Sequence, residues 1–150
     1  ETIQEWRLGY APASWQALSE FLQSRGYQTE EIIQAGLLVK SEDGFKIYDR
    51  FRDRIIFPIF DFLGNVIGFS GRENPQRPDE RMGKYINTPN TLIYDKSRVL
   101  YGLAKAKLEI RQKDFCLLVE GQLDVIMSHQ AGLKTAVACS GTSLTEEHLK

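Results

Sequence analysis

An α+β chain is what this sequence predicts: a mixed α+β first part followed by the start of an open parallel sheet. Three observations carry that expectation. Two short helical patterns lead into a turn-rich β-hairpin near the N-terminus. Two β-rich runs, IIFPIF and VIGFSGR, are joined by a turn at Gly64-Asn65, and the last third alternates strand, helix and strand. The 150 residues match the usual size of one domain, or of a piece cut from a larger protein.

Residues 14–26 form the first helical pattern, with Ser14 as N-cap candidate, Trp15, Leu18, Phe21 and Leu22 at helical spacing, and Gly26 as the stop. Thr29 is the candidate cap of the second, Glu30 and Glu31 suit its positive end, Ile32 and Ile33 are core candidates, and Gly36 closes it. LLV and FKIY flank SEDG, a hairpin pattern in which Gly44 supplies a positive φ. In IIFPIF, Pro58 requires a strand edge or a bulge, because proline donates nothing to a ladder. Residues 73–83, ENPQRPDERMG, have two prolines and no apolar period, and are expected to form a mobile surface loop. KYIN resumes as a short extended segment. GLAKAKLEIRQK then spaces Leu103, Ala104, Lys107, Leu108 and Arg111 for a helix with one apolar and one basic face. FCLLV and TAVAC are continuous apolar runs expected of strands buried on both faces, and DVIMSHQAG is the helix between them, stopped by Gly132. The expected βαβ crossover is right-handed with parallel strands. Ser143 and Glu146 have the spacing of a capping box for one more helix.

No apolar run approaches the roughly 20 residues that span a bilayer, and ETIQEWRLGY lacks a signal-peptide pattern, so no membrane role is indicated. Cys116 and Cys139 lie in the apolar runs and suit free, buried thiols in a reducing, cytoplasmic compartment. The net charge of −1 hides an asymmetry: residues 70–113 carry ten Lys and Arg against five Asp and Glu, a local +5, while the remainder is −6. With Tyr85, Tyr94 and Tyr101 interleaved, that stretch can track phosphates, or simply form a solvated surface.

Binding groups in open α/β sheets gather at the carboxyl ends of the strands. Glu120 ends FCLLV, Gly121 allows a sharp turn and a close ligand approach, and Asp124 falls on the first turn of the following helix. Two carboxylates facing one crevice suit Mg²⁺ (or Mn²⁺), which keeps several waters and adds substrate phosphates. The alternative is a solvated Glu120 and an Asp124 that merely favours the helix dipole. His129 and His148 have no metal-ligand spacing with the cysteines, so no zinc site is expected. GFSGR is neither a P-loop nor a dinucleotide fingerprint, and neither Ser140 nor Ser143 lies in a G-x-S-x-G elbow. Trp6 and Trp15 are expected as core anchors.

Seven segments, in order, carry a family resemblance: RLGYAPASW (7–15), AGLLV (35–39), FRDRIIFPIFDFLGNVIGFSGR (51–72), KYINTPNT (84–91), LYGLAKA (100–106), LLVEGQLDVI (117–126) and AVACSGTSLT (136–145). Together they resemble the RNA polymerase core of bacterial DnaG-type primases. The resemblance implies a Toprim fold, a Rossmann-like βαβ unit, over 114–150, preceded over 1–113 by a mixed α+β subdomain with a basic nucleic-acid surface. It implies metal-dependent nucleotidyl transfer that copies single-stranded DNA template into a short RNA primer from ribonucleoside triphosphates. Glu120 and Asp124 match acids of the first Toprim motif and are implied as catalytic and metal-binding. Arg72, Lys84, Tyr85, Asn87 and Lys96 match a region that contacts template and nucleotide, with Arg98 beside it.

Two departures qualify the resemblance. Gln122-Leu123 replaces the family's usual Tyr-Met between the glycine and the aspartate. The later Asp-x-Asp pair, the zinc-binding module and the module that recruits the replicative helicase have no counterpart in the 150 residues, so the expectation is a fragment unable to prime alone. The rival readings are another Toprim enzyme, a nuclease or topoisomerase, and a non-catalytic module that binds single-stranded nucleic acid or a partner protein.

Overall fold

The computed structural model describes residues 1–78, 82–141 and 143–149. The elements run α1 (Thr2–Glu5), β1 (Gly9–Ala11), α2 (Ala17–Ser24), α3 (Thr29–Gln34), β2 (Leu38–Lys40), β3 (Ile47–Asp49), β4 (Arg54–Phe60), β5 (Val66–Glu73), β6 (Tyr85–Asn87), β7 (Leu100–Tyr101), α4 (Leu103–Lys113), β8 (Leu117–Val119), α5 (Gln122–Gln130) and β9 (Ala136–Cys139). A 3₁₀ turn follows at Glu146–Leu149. The strands form an antiparallel sheet β1-β4-β5-β6, the hairpin β2-β3, and a mixed sheet β7-β9-β8 in which β8 and β9 are parallel.

The predicted β-rich runs are the long hairpin β4-β5, turned at Gly64 with φ +93°. Both expectations for Pro58 hold: β1 pairs only with Arg54–Ile56, leaving the proline half of β4 without a strand partner on that side among the described residues, and the register shifts between Ile59 and Phe60. The SEDG hairpin forms with Gly44 at φ +76°. The loop expected over 73–83 is entered at Asn74, since β5 runs on to Glu73; residues 79–81 of it lie outside the described residues.

Helix ends are capped differently from the local expectation. The first helical residue of α2 is Ala17. Ser14 Oγ accepts the amides of Gln16 and Ala17, and the Asp49 carboxylate, from β3, accepts those of Leu18 and Ser19 at 2.7 and 3.0 Å. Thr29 is the first residue inside α3, and Gln28 is the cap, its amide donating to Glu31 Oε2 at 2.7 Å. At the 3₁₀ turn Thr145 and His148 satisfy one another in place of Ser143 and Glu146. On α4, Ala106 is buried with Leu103 and Ile110 against it, whereas Leu108 faces solvent, because β9 lies on the Leu103 side.

The βαβ unit forms, but its two strands differ. Central β9 is buried at every residue; β8 is the edge, so Leu118 is 45% exposed and Phe115 and Cys116, expected inside, are exposed too. Cys139 is buried as expected. A single apolar cluster of Trp6, Phe57, Ile59, Tyr94, Tyr101, Val125, Ile126 and Ala138 joins the antiparallel sheet to the mixed one. Trp6 is therefore a core anchor, stacked on Tyr101 with ring centroids 5.6 Å apart. Trp15 is not: it precedes α2, is 59% exposed, and carries the Arg52 guanidinium 4.1 Å from its ring centroid. No helix among the described residues is long and apolar enough to cross a membrane.

Candidate functional site

Where β6 meets the carboxyl ends of β8 and β9, a cleft of about 450 Å³ opens between the two sheets, walled by Arg72, Lys84, Tyr85 and Asn87 on one side and by Glu120–Asp124 and Gly141 on the other. The β5-β6 ladder sets the basic wall: Arg72 pairs with Tyr85, so the residues adjoin across strands, and Lys84 precedes β6. The parallel pair β8-β9 sets the acidic wall, with Glu120 exposed one residue beyond β8.

Asp124 has a second role. Its Oδ2 accepts the Gly121 amide at 3.0 Å, capping α5 and leaving the other carboxylate oxygen for a ligand. Gly121 itself is extended, with φ −151° and ψ 179°, and a Cβ there would meet Asp124 Oδ2 at an ordinary 3.7 Å. The turn expected to require glycine does not; what remains of the expectation is open space. Tyr85 stands in the basic wall and feels charges from both sides. Burial pushes its phenol pKa up, the nearby Asp124 carboxylate adds to that, and Arg72 pulls the other way through its charge and a hydrogen bond. The Arg72 guanidinium lies 5.9 Å from the Tyr85 ring centroid. A protonated phenol between a cation and a carboxylate can donate to a phosphate oxygen.

Asn87 is held in place: its side-chain amide donates to the Ser140 carbonyl at 3.1 Å, and its Oδ1 is buried without a hydrogen-bond partner among the described residues. The unpaired oxygen is closed off from solvent, so the bond to Ser140 is what the side chain contributes to this wall. Gln122, at the family departure, is buried and reaches Ser140 Oγ at 3.4 Å.

Six of the eight predicted residues thus converge: Arg72, Lys84, Tyr85, Asn87, Glu120 and Asp124. Lys96 and Arg98 do not line the cleft. The Lys96 carbonyl accepts His148 Nε2–H at 3.0 Å, and Arg98 pairs with Glu147 at 3.7 Å, so both stand on the loop against the 3₁₀ turn. Gly141 was not foreseen, although the strand-end rule that selected Glu120-Gly121 applies equally to Ser140-Gly141 after β9. The histidines have structural partners: His129 Nε2 donates to the Ala136 carbonyl at 3.0 Å.

The cleft's donor set fits a hard divalent cation in part. Glu120 and the free oxygen of Asp124 are oxygen ligands of the kind Mg²⁺ takes alongside water and phosphate. Among the described residues no group of three or more His, Cys, Asp or Glu could hold a metal ion.

Similarity to known proteins agrees with this geometry. A family model described as the DNA primase catalytic core, N-terminal domain, matches residues 1–107. A DNA primase of Staphylococcus aureus (strain MSSA476) is 46% identical over 148 residues, covering 98% of this chain and 24% of that protein. The crystal structure of the RNA polymerase domain of Mycobacterium tuberculosis primase DnaG superposes with a TM-score of 0.88 at 39% identity, covering 99% of this chain and 47% of that one. The same domain in complex with a double-stranded DNA oligomer bearing a 6-nucleotide overhang gives a TM-score of 0.88 at 39% identity, covering 99% and 45%. The chain spans about a quarter of the length of the curated relatives it matches. An ordered set of primase segments, a cleft that gathers their polar residues, and a match through residue 107 have one common explanation: the chain belongs to the DNA primase catalytic core family.

Proposed function

We propose that this chain is the part of a bacterial primase that supplies the basic wall and the first carboxylates of a nucleotidyl-transfer site. The parent activity is synthesis of short RNA primers on single-stranded DNA in the cytoplasm, and the replicative helicase is its partner through a module outside these 150 residues. The observation that carries the reading is the cleft in which Arg72, Lys84 and Tyr85 face Glu120 and Asp124.

In that reaction a primer 3′-hydroxyl attacks the α-phosphate of a ribonucleotide and pyrophosphate leaves. Arg72 and Lys84 hold phosphates in line, and Tyr85 donates from its protonated phenol. Asn87, bonded to the Ser140 carbonyl, braces this wall against the strand end that carries Gly141. Mg²⁺ bound through Glu120 and Asp124 would ease loss of the hydroxyl proton and offset charge on the leaving oxygens. Phosphate contacts position the strand without reading its sequence, so this wall imposes no base preference.

A second reading, a single-strand binding module without chemistry of its own, is favoured for the isolated chain by exposed Trp15 with Arg52 over it and Tyr48 at 5.1 Å. Aromatic and guanidinium planes of this kind suit base stacking. A salt titration of oligodeoxythymidine binding tests the shared surface. Arg72→Ala should weaken binding and lower the salt slope by about 0.7, one single-strand phosphate contact. Salt-independent binding removes the basic wall from both readings. Within the parent primase, Glu120→Gln should abolish template-dependent RNA synthesis while oligodeoxythymidine binding persists, which decides for the first reading; synthesis untouched by Glu120→Gln decides for the second.

A further inference from the structure

The guanidinium of Arg54 is buried, the residue being only 2% exposed, and it grips both segments that carry the cleft's cations. Nη1 donates to the Gly71 carbonyl at 3.1 Å and to the Lys84 carbonyl at 3.3 Å, and Nη2 donates to the Gly83 carbonyl at 3.1 Å. Gly71 immediately precedes Arg72, and Lys84 is itself a wall of the cleft. Arg54 is not a wall, so it cannot act there by touching a ligand. The Lys84 carbonyl also accepts the Glu73 amide at 2.9 Å, which ties the returning chain to β5 beside the guanidinium.

Two features of the sequence fit this arrangement. A planar fork with five N–H donors can meet carbonyls arriving from two strands, whereas a lysine ammonium is a single point on a flexible stem. Gly71 leaves the stem its passage: a Cβ there would sit 2.7 Å from Phe51 Cδ1 and 3.1 Å from Arg54 Cδ. Its glycine serves close approach.

We propose that Arg54 is a positioning residue that fixes Arg72 and Lys84 relative to one another, so that the basic wall opposite Glu120 and Asp124 is preformed. The proposal deepens the nucleic-acid reading of the cleft and rests on it for its functional consequence. A preformed wall loses less conformational freedom when a strand binds.

Two measurements on the 150-residue chain test it, using Arg54→Lys, which keeps the charge and the stem and removes the fork. In amide hydrogen exchange, Arg54→Lys should speed exchange at Glu73 and at the β5-β6 ladder by about tenfold or more while leaving β8-β9 unchanged. Acceleration spread evenly over both sheets overturns the proposal, because it marks a merely stabilising arginine. In anisotropy titrations with labelled oligodeoxythymidine, Arg54→Lys and Lys84→Ala should each cost roughly tenfold in affinity, the scale of one charge-assisted hydrogen bond. The double variant should lose less affinity than the product of the two single losses, because part of what Arg54 does is hold Lys84. Multiplying losses, or wild-type binding by Arg54→Lys, overturn it. If the parent's binding ignores salt and Lys84→Ala, the nucleic-acid reading fails, and exchange alone decides whether Arg54 positions the wall. Should Arg54→Lys not fold, Gly71→Ala presses on the same stem and should give the same localised acceleration; a uniform one counts against the proposal.

Discussion

The side-chain amide of Asn87 donates to the carbonyl of Ser140 at 3.1 Å, fastening the end of β6 in the antiparallel sheet to the end of β9 in the mixed one. Gly141 makes the fit tight: it has φ +74°, and a Cβ there would lie 2.7 Å from Asn87 Nδ2. A wall residue of the cleft therefore also bonds one sheet to the other. Asn87→Ala should lower stability by about 1–3 kcal/mol, because Ser140 is buried and its carbonyl loses a donor. Asn87→Asp should cost more, since it sets a carboxylate against that carbonyl. Denaturant unfolding ranks the three proteins, and an Asp variant as stable as the parent would remove the bond from the account.

Asp49 provides a second long-range tie. Its carboxylate caps α2, its amide donates to the Trp15 carbonyl at 2.8 Å, and Arg52 donates to its carbonyl. One buried residue thus fixes the helix, the indole and the guanidinium that stacks on it. Asp49→Ala should cost about 1–3 kcal/mol from the lost cap and the stranded amides, and Asp49→Asn, which still offers one acceptor, should cost less. Urea midpoints measure both. Trp15 fluorescence should also shift in the Ala variant, and an unchanged spectrum would separate Asp49 from the indole.

Local chemistry explains what was legible. Gly44, Gly64 and Pro58 punctuate the chain through their own backbone limits, so hairpins and bulge could be read where they occur. Glu120 could be placed at a strand end from the apolar run before it; local pattern leaves a solvated carboxylate open, and the family resemblance singles the residue out. What escaped depends on neighbours distant in sequence. FCLLV and TAVAC are equally apolar, yet only the second is central, since β9 lies between β7 and β8 while β8 has no strand on its far side among the described residues. Trp15 shares the spacing of a helix that begins two residues later, and Asp49, thirty-four residues on, sets that start. Lys96 and Arg98 belong to the same basic stretch as Lys84, but neither lines the cleft: the 3₁₀ turn holds Lys96 by its backbone carbonyl and Arg98 by an ion pair with Glu147. Charge density along a chain does not say which cations share a wall.

Tyr94 sets an alkaline limit on the fold. It is buried, its hydroxyl has no hydrogen-bond partner among the described residues, and burial, with the Asp95 charge adding to it, pushes its pKa from 10.0 up to about 12. A phenol whose pKa is raised on folding contributes stability that is complete below pH 10 and is lost as pH rises from 10 to about 12. Stability measured across that window should fall, and ultraviolet titration should show Tyr94 ionising late or only with unfolding. Tyr94→Phe should be near neutral or stabilising at pH 7, since no bond is broken, and should flatten part of the alkaline decline. Burial raises the Tyr101 phenol in the same direction, so part of the decline should persist. An unchanged alkaline limb in Tyr94→Phe would assign the loss to other groups.

Glu120 and Asp124 should separate when substituted, because only Asp124 serves the fold. Glu120 is exposed beyond β8 and bonds to nothing that the structure records, so Glu120→Gln should leave stability within about 0.5 kcal/mol of the parent. It should remove most Mn²⁺ binding, read by the loss of free-ion paramagnetic signal on titration, and leave oligodeoxythymidine affinity equal or higher, one negative charge having gone from the cleft proposed to take phosphates. Asp124→Ala should weaken Mn²⁺ binding and also lower stability by about 1 kcal/mol through the lost Gly121 cap. Asp124→Asn can turn its oxygen to that amide, so it should keep the stability and lose the metal. Mn²⁺ binding that survives Glu120→Gln would move the ion away from the strand end, whereas loss of binding with the fold intact would identify Glu120 as the carboxylate that β8 delivers to it.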